Sequence, residues 1–557
     1  VNYFSINFHS LGGYMILRNK KLIGIISAFI TANMLLVGCG SAESSSMVDD
    51  RDEKIVYANY RDIRDLNPHL YNGEMFAQNL LYESLVKVED DGSISPWLAE
   101  SYEVSEDGKT YVFKLREDVY FTDGAKFNAE AAKLNFDAIL DNYERHSWIE
   151  SVSLMKEVEN YGKESVEVTG EYELTIHLSK SYYPFLLELG LIRPLRFISP
   201  NCFIDGTTKN GVTDYIGTGS YYLSEHVTDE YAIFKVNEKY WGDIPDIEEI
   251  IVKVIPDSQS RVMALESGEI DLIYGATMID SETYDKFSNL SEFETKISEP
   301  ISSRVMMINT QDEILGDVRL RKALQYATDR ETISKSIFLG IEDPAYTLFS
   351  SEVPYADIGL TPYEYNLEKA KELLNEAGWV EVNGQSYRQK DGQELAFTLH
   401  YSSDNVTDKT IAEFYKGELA KIGINLEIIG EEAQAHSDRA KSGNFDIIFN
   451  ESWGKPYDPQ SFLASMREAS VHGDYEAQKG LKEKEQIDEA ILNALEATTE
   501  EERQEYYTYV LETLHEEAVY IPLTYETNRA IYSNKIKNVT FGQSQYEVTF
   551  ADMTMGE

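Results

Sequence analysis

Thiols, positive charge and usefully spaced histidines are all scarce in this chain, and each shortage removes a class of function. Cys39 and Cys202 are the only cysteines, so a disulfide framework is out of reach and no CxxC pair offers a redox or zinc motif. Basic residues number 50 against 97 acidic ones, a formal charge of −47, and such a chain repels the phosphates of nucleic acids and anionic lipids. No nucleic-acid partner is expected. None of the nine histidines forms an HxH or HxxxH pair, and a closed transition-metal site wants three or four converging N or S ligands. If metal is bound, most of its ligands must arrive with the solute. No GxSxG elbow, GxxxxGK[ST] loop or HExxH helix is present, and carboxylate pairs such as Asp90/Asp91 and Glu431/Glu432 read as solvated surface in so acidic a chain. The chain is not expected to be an enzyme; a secreted hydrolase would need a nucleophile motif it lacks.

Long apolar runs are scarce too. The one candidate, Leu22 to Val37, is shorter than the ~20 residues of a membrane span, and it follows Met15, Arg18, Lys20 and Lys21 and ends at Gly38-Cys39. A basic start, a short apolar core and a small residue before the cut make residues 15–38 a signal peptide. "LVGC" (Leu36 to Cys39) resembles the bacterial lipoprotein signal, which implies a lipid on Cys39 and an extracytoplasmic protein anchored to the cell membrane. Residues 39–53 are small and polar, a flexible tether. Cys202 is then the one thiol of the mature body, expected as a buried apolar residue.

What is plentiful is regular structure. At 557 residues the chain is long enough for two or three domains. "KIVYANY" after the tether reads as a buried strand, and residues 102–115 alternate around an Asp-Gly turn as a hairpin. Asn128 caps a helix over the next apolar-periodic segment, and Asp317 and Asn366 cap two more, the first running through Phe338 and the second stopping at Gly378. From residue 394 to 452, strands and helices alternate, which implies βαβ crossovers and a parallel sheet. In open α/β sheets the ligand crevice lies beyond the carboxyl ends of the strands. "SWGKPYDP" (Ser452 to Pro459) follows the last of these strands, so topology places Trp453 and Tyr457 near a crevice. The strand-like stretch after Glu517 reads as the chain returning to its first half.

"PWLAESYEVSEDGKTYVFKLREDVYFTDG", "IGTGSYYL" and "PDSQSRVMALESGEIDLIYG" resemble the peptide/nickel family of solute-binding proteins of ABC importers, across nearly the whole mature chain. "LNPHLYNGEMFAQ", "DNYERHSWIE", "SYYPFLLELGLIRPLRFISP" and "WGKPYDPQSFLASMR" are similar to its nickel-binding branch. The resemblance implies an α/β fold of two lobes, periplasmic-binding-protein-like (type II), with an extra subdomain in the first lobe. It implies lobe I over 54–300 plus 525–557 and lobe II over 301–524. It implies a monomer that captures nickel as a small, histidine-type chelate, nickel being cargo and not a catalytic cofactor, and passes it to ABC importer permease subunits.

Carried over residue by residue, the resemblance names Tyr71, Met75, Arg145, Trp148, Arg193, Trp453 and Tyr457 as chelate-binding and His472 as a metal ligand. Arginines offer planar forks for carboxylates, large rings can wall a flat chelate off from water, and a neutral imidazole can ligate nickel. On composition alone, each of these would be a surface ion pair, a core aromatic or a solvated histidine. The segment between Tyr71 and Met75 is one residue shorter than in the nickel-binding branch, and that between Met466 and His472 one residue longer. The rival on the same fold is an oligopeptide or dipeptide binder. Such relatives carry an aspartate for the peptide ammonium just before the tyrosine of this loop, where Pro456 stands here.

Overall fold

The alternation over residues 394–452 folds as a layered α/β unit. In the computed structural model of the chain, which describes residues 53–89, 92–470, 472–542 and 544–556, the strands Ala396–Ser402, Asn425–Glu431 and Ile447–Glu451 run parallel, with Ala396–Ser402 in the middle. The helices Val406–Lys421 and Ala433–Ser442 are the crossovers. The signal segment 15–38, Cys39 and all of the tether but its last residue lie outside the described residues.

The parallel strands are one end of a larger mixed sheet. Two long strands, Phe293–Ile308 and Tyr520–Ser533, pair antiparallel along most of their length and continue the sheet into Leu272–Tyr274, Lys54–Asn59, Glu249–Val254, Tyr231–Val236 and Tyr221–Val227. Each long strand therefore serves both ends. Phe293–Ile297 pairs with Arg529–Ser533 beside the first-half strands, and Arg304–Ile308 pairs with Ile447–Glu451 in the second half. Register shifts between Ile297 and Val305 separate these stretches, and such irregularities bend and twist a strand pair.

A separate four-stranded antiparallel sheet, Ala99–Val104, Thr110–Leu115, Glu173–His177 and Val166–Gly170 in the order 99–104, 110–115, 173–177, 166–170, is inserted in the first half. Its hairpin turns at Gly108, in the left-handed region at φ 66°, as the Asp-Gly pair demands. Beyond it the segment 180–183 reaches the second half. The Tyr183 hydroxyl meets that of Tyr507 at 3.0 Å, and Lys180 Nζ lies 2.8 Å from a Glu496 oxygen.

Local chemistry explains the elements. Asn128, Asp317 and Asn366 each accept a backbone N–H of the first helical turn, from Ala131, Arg319 and Lys369. The helix begun at Asp317 stops earlier than expected. It ends at Tyr326, because Asp329 accepts the N–H of Thr332 and starts a second helix, Arg330–Ile337. The core of the second half is made of alternating strand residues, with Leu399 and Ile447 wholly buried, each stabilising the fold by about 1.5–3 kcal/mol. Cys202 is buried in the first-half core, as an apolar residue would be.

Candidate functional site

The candidate residues come from four separated stretches, each held by its own anchor. Tyr71 and Met75 flank a turn that leads into the helix Met75–Leu81. That helix is fixed by close backbone contact: a Cβ at Gly217, in "IGTGSYYL", would lie 1.8 Å from the Leu81 carbonyl oxygen, so only glycine lets the segments meet. Arg145 and His146 end the short helix Tyr143–His146, and Trp148 follows two residues on. Arg193 lies in the loop after the helix Phe185–Leu189, and its Nη1 donates to the Gly73 carbonyl at 2.9 Å, tying that loop to the Tyr71 turn.

These groups converge on the Tyr71 ring. Trp148 Nε1 donates to the Tyr71 hydroxyl at 3.0 Å, His146 Nδ1 lies 2.9 Å from the same oxygen, and the Arg193 guanidinium sits 5.5 Å from the ring centroid. Burial pushes the Tyr71 hydroxyl well above its ordinary pKa, partly offset by the Trp148 bond and the charges of Arg193 and Arg145. Burial also lowers the pKa of Arg193, against which the Tyr457 and Tyr71 hydroxyls act. Among the described residues no carboxylate forms an ion pair with Arg193. Trp148 is 50% exposed and Arg145 is also exposed. Met75 is half-buried at the start of its helix.

The opposite side is built by the loop after Ile447–Glu451. Asp458 folds this loop back on itself by accepting the backbone N–H groups of Trp453 (3.2 Å) and Gly454 (2.9 Å). Burial pushes the Asp458 carboxyl up to about 7, against the lowering by these hydrogen bonds and by Ser452. Gly454, at φ 73°, presses on the strand Phe293–Ile308, where a Cβ would lie 2.6 Å from the Ile301 carbonyl oxygen. The Trp453 ring then packs against Tyr457 (6.4 Å), Phe462 (6.1 Å) and His472 (5.0 Å between centroids). Burial lowers the His472 pKa, keeping the imidazole neutral. Burial raises the Tyr457 hydroxyl to about 12, although Arg193 lowers it. Arg193 and Tyr457 are thus electrostatic neighbours across the two sides. Beside Tyr457 and Pro456 opens a cavity of about 310 Å³, lined also by Trp97, Arg196, Tyr240 and Phe541.

The structure thus brings Tyr71, Trp148, Arg193 and Tyr457 around one space and sets Trp453 edge-on to Tyr457 and tilted against His472 beside it. Two residues of this arrangement were not singled out from the sequence. His146 lies 75 positions from Tyr71 and carries no spacing signal, although it stands in the "ERHSW" segment. Asp458 was legible only as a turn residue next to proline. Among the described residues, no three His, Cys, Asp or Glu side chains converge to hold a metal. His472 would therefore need a solute that brings the rest of the coordination.

Residues 93–473 match the bacterial extracellular solute-binding proteins, family 5. The chain belongs to this family. It is 40% identical to the nickel-binding periplasmic protein of Escherichia coli (strain K12), over 87% of this chain and 91% of that protein. Among solved structures, NikA from Brucella suis in complex with Fe(III)-EDTA is 43% identical with a TM-score of 0.87, covering 91% of this chain and all of that one. NikZ from Campylobacter jejuni in complex with Ni(L-His) is 25% identical with a TM-score of 0.72, over 90% of this chain and 99% of that one. The chain is accordingly an extracytoplasmic solute-binding protein of an ABC importer, with the two-lobe type II fold, and not an enzyme.

Proposed function

We propose that the solute is nickel held in a small, carboxylate-bearing chelate of the histidine type, delivered to the importer's permease subunits. The observation that carries this reading is Arg193, a half-buried cation next to Tyr71 and Tyr457 that forms an ion pair with no carboxylate of the described residues, the Glu74 carboxylate that acts on it being itself paired with Arg61 and Arg64. A buried guanidinium stripped of water binds a carboxylate fork strongly and with defined geometry. Arg145 adds a second charge at the exposed rim, and Trp148, Trp453 and Tyr457 supply flat apolar walls. His472, kept neutral by burial, completes the coordination of a metal that a chelator leaves unsaturated. The nickel-binding relative and the Ni(L-His) and Fe(III)-EDTA complexes of the solved structures point the same way.

In this reading residues 54–300 plus 525–557 form one lobe and 301–524 the other, with the two long strands as the connection. Closure brings Arg193 and Tyr457 onto the same solute, so the solute stabilises the closed form. The protein acts as a monomer tethered by a lipid on Cys39. An oligopeptide solute is the weaker reading, because Pro456 supplies no charge for an ammonium group.

Calorimetry on the full chain tests the choice, with Ni²⁺ alone, Ni²⁺ with L-histidine, and di- to pentapeptides as titrants. Tight binding of nickel-histidine is the expected result, and tight peptide binding with no response to nickel-histidine rejects it. Loss of lipid incorporation in a Cys39→Ser variant tests the anchor.

A further inference from the structure

His146 is wholly buried, and its two ring nitrogens have unlike surroundings. Nδ1 is 2.9 Å from the Tyr71 hydroxyl oxygen, whereas Nε2 is buried and meets no hydrogen-bonding group of the protein. Burial, with the charge of Arg145, pushes the ring's pKa down to about 4, so the imidazole is neutral and carries a single N–H. On its other side the Tyr71 oxygen receives Trp148 Nε1, which can only donate.

Two arrangements are consistent with these distances. In one, His146 carries its proton on Nε2, leaving a buried N–H without an acceptor while Tyr71 donates to Nδ1. In the other, the proton is on Nδ1 and is donated to Tyr71, and Nε2 is left as a bare acceptor. A buried N–H with no acceptor is the rarer defect in native proteins, so the second arrangement is favoured. The Tyr71 oxygen then accepts from both His146 and Trp148. A hydroxyl holds one proton and two acceptor positions, so with both acceptor positions filled the Tyr71 proton must point away from His146 and Trp148.

We infer that His146 is a positioning residue, which by donating through Nδ1 makes Tyr71 an obligate hydrogen-bond donor to the solute. The third position around the Tyr71 oxygen then selects an acceptor, such as a carboxylate oxygen of the chelate, and rejects an N–H group. This rests on the reading of Tyr71 as a residue of the solute site. The contrast within the molecule is His69, also buried, whose Nε2 faces the Arg196 carbonyl at 3.1 Å and must donate to it, leaving Nδ1 to accept from Thr208 Oγ1 at 2.8 Å.

The test begins without solute. In the full chain labelled with ¹⁵N-histidine, long-range ¹H–¹⁵N spectra should show His146 protonated on Nδ1 and His69 on Nε2, with His69 as internal control. A proton on Nε2 of His146 overturns the inference. Titration with Ni²⁺ and L-histidine follows. Tyr71→Phe and His146→Asp, whose carboxylate would draw the Tyr71 proton inward, should each weaken binding about tenfold, the size of a lost hydrogen bond to a charged group. His146→Asn, with an amide N–H near the place of Nδ1, should recover most of that loss; if it binds as poorly as His146→Asp, the positioning role is wrong. Should the native protein ignore nickel-histidine, the proposed solute fails, and the tautomer alone decides this inference.

Discussion

The two sides of the candidate site face the same space with different means. On the Tyr71 side a hydroxyl, an imidazole, an indole N–H and a guanidinium are joined through hydrogen bonds and a ring contact. On the Trp453 side the contacts are between rings, and the Trp453 indole N–H is buried with no protein partner. The polar side fixes where charges and protons point, so it is suited to reading the oxygens of the proposed chelate. The aromatic side fixes shape and excludes water, with one neutral imidazole available to a metal. Its precision comes from the backbone, through Asp458 and Gly454, and not from side-chain hydrogen bonds among the rings.

The largest expected effect comes from breaking the polar side. Arg193→Ala should weaken nickel-histidine binding roughly a hundredfold or more, the cost of removing one partner of a desolvated charge pair. Calorimetry measures it, and unchanged affinity would remove Arg193 from the site. Because Arg193 also donates to Gly73, Arg193→Lys separates charge from geometry: it should bind better than Arg193→Ala and worse than the native protein.

Next in size is the backbone of the aromatic side. Gly454→Ala forces a Cβ against the Ile301 carbonyl oxygen at positive φ and should destabilise the fold by about 1–3 kcal/mol. The midpoint of urea unfolding reports it; an unchanged midpoint would mean that the loop does not depend on this close approach.

Smaller and more selective is His472→Ala. It should cost about 1.4 kcal/mol, or tenfold, with nickel-histidine and almost nothing with Fe(III)-EDTA, whose metal the chelator already surrounds. Equal losses with both would show that the imidazole packs against Trp453 without touching metal.

The smallest effect is a pH dependence. The folded pKa of Asp458, about 7, lies above its ordinary 3.8. Between these values the folded state holds more protons than the unfolded one, so acidification stabilises the fold through this group. Relative to Asp458→Asn, the native protein should gain about 1 kcal/mol between pH 7 and pH 6. The gain should level off below about pH 4. A difference that stays flat across this range in paired denaturation curves would show that Asp458 is not held in its neutral form.

Much of the fold was legible along the chain. The caps at Asn128, Asp317 and Asn366 and the turn at Gly108 form as read, because each is decided by chemistry within a few residues. The alternation over 394–452 gave parallel strands, and the loop beyond Glu451 does carry Trp453 and Tyr457 to the place where Arg193 also arrives. The break at residues 327–329 was not read, since "QYATDRETI" keeps a helical composition while Asp329 spends its side chain on a new first turn. The residues of the candidate site were named through resemblance, because an arginine without a carboxylate looks, in sequence, like any other arginine.

By itself, then, the sequence determined the local elements and which partners its charge and missing motifs disfavour. A charge of −47 and the missing nucleophile and metal motifs are sums over residues and need no fold. Only the tertiary structure decided that Arg193 lies by Tyr71 and Tyr457 without an ion-paired carboxylate among the described residues, that Asp458 is buried under its own loop, and that His146 meets Tyr71 through one nitrogen while the other stays bare. Burial and hydrogen bonds between residues 75 or more positions apart depend on how the chain packs, and packing is what turns ordinary side chains into a desolvated cation, an acid with a raised pKa and a hydroxyl flanked by an imidazole and an indole N–H.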